Sequence, residues 1–150
     1  MAINTLQESW EQETIPTVLG ITFKNGKTLS FRNSQSECLS SYEFIENELH
    51  LEEYLEATEV QIYFELDVPD THGKVIGGAV AMGNEGFILY IDKNGEIQWS
   101  ILQTFANPFF NTTTVQGDVI HAITEIDYHW TIPIFAPQNL SCVSKNEWGY

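Results

Sequence analysis

Four residues offer the densest grouping of catalytic side-chain types: His121, Glu125, Asp127 and His129. All fall on odd positions of an alternating stretch, so a strand through them would set them on one face. At ~3.3 Å per residue, His121 and His129 would stand about 26 Å apart on such a strand. Asp127 and His129, two residues apart, could share a metal ion or work as an acid–base pair. Trp99, Phe105 and Trp130 would supply an apolar mouth. No third ligand at motif spacing accompanies them, and a half-wetted sheet face carries the same residues, so no metal or cofactor is assigned.

Other catalytic signatures are missing. The glycines Gly77, Gly78, Gly83 and Gly86 are not followed by Gly-Lys-Ser/Thr or a helix start, so a phosphate loop is disfavoured; a bulge, a bend or a close backbone approach explains them better. There is no Gly-x-Ser-x-Gly elbow. His50 and His72 are isolated. The sequence therefore reads as a non-enzyme.

Charge is the strongest signal. The 150 residues carry 21 Asp plus Glu against 6 Lys plus Arg, a formal net charge of −15. No Lys or Arg occurs between Asn33 and Gly73. That stretch holds Glu37, Glu43, Glu46, Glu48, Glu52, Glu53, Glu56, Glu59, Glu65, Asp67 and Asp70, about half of all the acids. Without neighbouring cations, local ion pairs cannot quench this field, which extends into solvent and steers a basic partner. Binding of nucleic acid or of an anionic membrane is disfavoured, since both are themselves anionic. Glu46, Glu52, Glu53, Glu56 and Glu59, with Asp67 and Asp70 at the rim, are the candidate partner-binding residues. Tyr42, Tyr54 and Tyr63 lie among them.

The elements that must position these residues are mostly strands. Apolar residues make up 43% and aromatics 13%, enough for a packed core in one domain spanning 1–150. Met1 to Gln12 reads as a loose arm or short helix anchored by Trp10. Thr17 to Arg32 is a hairpin turning at Asn25-Gly26, whose residues suit the positive φ of a type I′ turn. Ser40 and Glu43 have capping-box spacing, and Tyr42, Ile45, Leu49 and Leu55 recur at helical intervals, predicting a helix over about 40–57. A strand through Glu48–Leu51 competes with it. Val60, Ile62, Phe64 and Leu66 alternate with Gln61, Tyr63, Glu65 and Asp67, predicting a strand with one wet face. Hairpins follow around Asn84–Gly86 and Asp92–Glu96. Thr104 to Gln116 reads as an irregular crossing with a short strand, and Phe109-Phe110 as a core plug or an exposed oligomer patch. Asp118 to Ile134 carries the longest alternation, closed by Pro133. The tail from Ala136 reads as polar and peripheral. The expected fold is α+β: mainly antiparallel sheet, as a bent sheet, small barrel or sandwich, with the helix packed on it.

Met1 to Trp10 carry no basic n-region and no apolar h-region, and no apolar run could span a membrane. We expect a cytoplasmic protein whose Cys38 and Cys142 are structural thiols.

In composition and pattern, along the whole chain, this protein resembles small acidic immunity proteins of bacterial contact-dependent growth inhibition and other polymorphic toxin systems. The resemblance implies tight inhibition of one cognate toxin, often a nuclease with a basic groove, with the acids standing where phosphates would. It carries over no catalytic residue.

Overall fold

The computed structural model describes residues 2–3, 5–31, 50–51, 55–80, 85–103, 112–124 and 128–144. The N-terminal segment is a short helix, α1 (Leu6–Glu11), flanked by β1 (Ala2–Ile3) and β2 (Thr14–Pro16). Thr5 caps it, its hydroxyl accepting the Glu8 N–H at 3.0 Å. Leu6 is fully buried beneath the helix.

Apart from a 3-10 turn at Pro137–Asn139, the other described elements are antiparallel strands. A nine-stranded sheet runs in the order β1, β6 (Leu55–Val68), β7 (Gly73–Val80), β8 (Gly86–Ile91), β9 (Ile97–Gln103), β3 (Gly20–Phe23), β4 (Lys27–Ser30) and β5 (His50–Leu51), with β2 also pairing β6. A four-stranded meander contains β10 (Thr114–Gln116), β11 (Val119–Ile123), β12 (Tyr128–Pro133) and β13 (Ser141–Ser144). One face of the large sheet packs on the meander: Ile21, Ile88, Tyr90 and Ile101 join Ile120, Trp130, Ile132 and Cys142 in one core. The rings of Phe31 and Trp130 meet there at 6.0 Å. The other face packs on α1 and β2, where Leu6 and Ile15 join Ile76, Val80, Phe87 and Leu89. β8 sends Ile88 and Tyr90 into the first core and Phe87 and Leu89 into the second, which is why it reads as an unbroken apolar run. The chain is thus α+β and mainly antiparallel, as its alternation predicts.

Four local expectations are corrected. Where the helix expected over 40–57 is described, it is strand: His50–Leu51 pairs with β4, and 55–57 belongs to β6. Residues 40–49 and 52–54 lie outside the described residues. β1 and β2 supply hydrogen-bond partners for 55–59, and pairing overrides a weak helical period. The Asn25-Gly26 turn is not type I′: Gly26 has φ 87° but Asn25 stays at negative φ, its Oδ1 accepting the Lys27 N–H at 3.0 Å. Lys24–Gly26 is instead a three-residue loop with a left-handed glycine, and Asp92–Gly95 turns in the same way, with Gly95 at φ 82°. The polar tail is structural: β13 pairs with β12, and Leu140 and Cys142 are fully buried. Its Ser-rich composition hides a two-residue apolar period. Finally, Cys142 is disulfide-bonded rather than a thiol; the chain's other cysteine, Cys38, lies outside the described residues. Among the described residues no helix is long and apolar enough to cross a membrane.

Candidate functional site

β6 is the longest described strand and, with the turn after it, carries every described residue of the proposed acidic surface. Glu56, Glu59 and Asp67 are exposed on it, and Asp70 is exposed in the turn that follows. Glu46, Glu52 and Glu53 lie outside the described residues. Glu65, also exposed, meets Lys74 across the β6–β7 ladder, Nζ to Oε1 2.9 Å. The carboxylate raises the Lys74 pKa above its usual value, first through this hydrogen bond and then through charge. Among the described residues no cation lies within ion-pair distance of Glu59, Asp67 or Asp70.

The strand does not keep a single wet face. Ile62 pairs with Gly78 and Phe64 with Gly77, so Tyr63 is an extra residue, a β-bulge. Before the bulge Val60 packs on the α1 side; after it Phe64 and Val68 pack on the meander side. The phase shift turns Glu65 and Asp67 to the α1 side, the side Glu56 shares with Val60 by alternation, and leaves Glu59 on the opposite face. At the bulge Ile62 and Tyr63 stand 45% and 42% exposed. The two glycines of β7 make room for it. A Cβ on Gly78 would run into the Gln61 carbonyl oxygen and come within 2.8 Å of the Tyr63 nitrogen, and one on Gly77 would strike the Phe64 ring. The glycine pair therefore serves close backbone approach.

From Val60 to Val68 the strand pairs with β7 alone among the described residues, since β1 and β2 stop at Glu59. The result is a strand of ~3.3 Å per residue whose second edge has no ladder partner among the described residues over this stretch, with exposed acids along it and two exposed apolar side chains near its centre.

The histidine-bearing stretch is also rearranged. Asp118–Ile134 is not one strand but the hairpin β11–β12, closed where the Thr124 N–H donates to the Tyr128 carbonyl at 3.0 Å. His121 and His129 are consequently brought together, Nδ1 to Nε2 3.4 Å, on the face opposite the core. Burial lowers the His129 pKa first, and the charge of protonated His121 lowers it further. Glu125 and Asp127 lie outside the described residues. Trp130 is fully buried and Trp99 nearly so, its indole N–H donating to the Ile134 carbonyl at 2.7 Å, so neither lines a mouth at the histidines. Phe105, Phe109 and Phe110 are not among the described residues.

A cleft of about 660 Å³ that the sequence did not signal lies between the β3–β4 and β8–β9 turns and the chain from Ile134 to Gln138. Phe23, Tyr90 and Trp99 line it with Lys24 and Lys27. Phe135, 64% exposed, meets Tyr90 edge-on at 6.1 Å. Lys24 reaches Glu96 at 3.8 Å, and the Asp92 carboxylate accepts the Asn94 and Glu96 N–H groups and the Gln98 amide. No described histidine, cysteine or serine lines this cleft. In comparisons with known proteins, no family model, no curated protein and no solved structure matches the chain.

Proposed function

We propose that this protein is a non-catalytic inhibitor of the immunity type, which binds a cognate toxin of basic surface and covers its active groove. The observation supporting this reading is the set of exposed carboxylates along β6 and the turn after it, Glu59, Asp67 and Asp70, of which Asp67 alone stands opposite a described cation, Lys74, with Ile62 and Tyr63 exposed between them. A nuclease groove built to hold phosphate presents Lys and Arg, which these carboxylates complement. The exposed apolar pair supplies area to exclude water. The charge field speeds encounter, while the apolar contacts slow dissociation.

Cytoplasmic action remains part of the proposal, with one condition. The Cys142 disulfide persists in an oxidising compartment and is reduced in the cytosol, so inhibition met there has to survive reduction.

The test is inhibition of catalysis. A basic nuclease toxin domain encoded beside this chain is assayed for hydrolysis of nucleic acid with and without stoichiometric protein, in reducing and oxidising buffer. Loss of hydrolysis, relieved by Glu59→Lys/Asp67→Lys/Asp70→Lys, supports the reading. Full hydrolysis at saturating protein, or inhibition that ignores the charge reversal, overturns it.

A further inference from the structure

We propose that His121 and His129 form a two-imidazole chelate for a divalent transition-metal ion on the outer face of the β10–β13 meander. The hairpin places the two residues diagonally across the β11–β12 ladder, where His121 faces Thr131 and His129 faces Ile123. Nδ1 of His121 and Nε2 of His129 stand 3.4 Å apart. An N–H···N hydrogen bond is ordinarily shorter, near 3.0 Å. Two nitrogens bound to one tetrahedral ion at 2.0–2.1 Å are about 3.3–3.4 Å apart, which is the separation observed. The rings are inclined at 41° with centroids 5.5 Å apart, so they are not stacked face to face.

The surroundings suit a neutral-ligand site. Val119, Ile123, Thr131 and Val143 around the pair are all half-buried, which limits competing hydration. Both strands are held by the core beneath them, since Ile120, Ala122, Trp130 and Ile132 are at most 1% exposed. Both imidazoles are therefore carried on strands already held in place, which lowers the ordering cost of binding. Imidazole selects Cu²⁺, Ni²⁺ and Zn²⁺ over Mg²⁺ and Ca²⁺, which prefer oxygen. Among the described residues no third His, Cys, Asp or Glu joins the pair. The site is distinct from β6 and lies on the other sheet.

The test titrates chelator-treated full-length protein with NiCl₂ and with ZnSO₄ alone, in excess MgCl₂ so that diffuse binding to a −15 surface is already saturated. One ion per chain is expected, with shifts of the His121 and His129 ring resonances in the wild type. His121→Ala and His129→Ala should each weaken binding about tenfold or more, at least the loss that follows from perturbing a ligand's support. His72→Asn, in the exposed turn after β6, should bind as the wild type does. Absence of saturable binding, ring shifts confined to other histidines, or unchanged affinity in both alanine variants overturns the proposal. The ring resonances decide the matter even if a variant fails to fold.

Discussion

Gly78 shows how a single residue can be placed by its neighbour's backbone. No side chain fits between it and the Gln61–Tyr63 bulge, because the atoms in the way are backbone and cannot rotate aside. Gly78→Ala should therefore cost about 1–3 kcal/mol, seen as a lower urea midpoint at unchanged slope. Gly117 has φ 63° but open space at its Cβ position, so Gly117→Asn, which tolerates that φ, should change stability by less than about 0.5 kcal/mol. His129 makes a second residue-scale prediction. Its folded pKa lies below the ordinary 6.5, so near and below that pH the unfolded chain binds a proton that the native one resists. The neutral residue's contribution is fully present above pH ~6.5 and is lost as pH falls through the lower folded value. Urea midpoints at pH 7.5 and 5.5 should fall further for the wild type than for His129→Gln.

At the scale of elements, β13 is the late strand that closes the meander, and its Cys142 is both core and covalent anchor. Reduction should lower the guanidinium midpoint by an amount equivalent to about 2–5 kcal/mol, and Cys142→Ala should not respond to reductant. The same elements show what a sequence can reveal. Hairpins at Lys24–Gly26 and Asp92–Gly95 were legible because turn residues sit between alternating runs. The reversal between β11 and β12 was not, because Ile120 pairs with Ile132 and Ala122 with Trp130. Even positions face the core on both strands, so alternation passes through the turn without a break. Two histidines expected about 26 Å apart along one strand are thus neighbours. The Tyr63 bulge was hidden for the opposite reason: Val60 to Leu66 alternate without interruption in sequence, yet the phase changes in space. Gly77-Gly78 was its one visible trace, and that trace lies on the partner strand. The acidic row was legible as composition. Its division between two faces of β6 was not.

For the whole molecule, charge sets stability and recognition against each other. A net charge of −15 destabilises the compact chain through self-repulsion, and the acids on β6 add to it without local cations save Lys74. Acids retained for folding would lower stability when replaced; acids retained for a partner would not. Glu59→Lys/Asp67→Lys/Asp70→Lys adds two positive units per site and takes the net charge from −15 to about −9. All three side chains are exposed, so the exchange removes no core contact. The triple variant should melt at or above the wild-type temperature at low salt, and the difference should shrink in 0.5 M NaCl as screening removes the repulsion. Association with a basic partner should move the other way, its on-rate falling about tenfold or more at low salt and less at high salt. Thermal melts and stopped-flow association on the same samples check both. A variant that loses stability and affinity together would mean that these carboxylates support the fold and not an interface. A gain in stability with a salt-dependent loss of association identifies β6 as a surface kept acidic against the interest of folding.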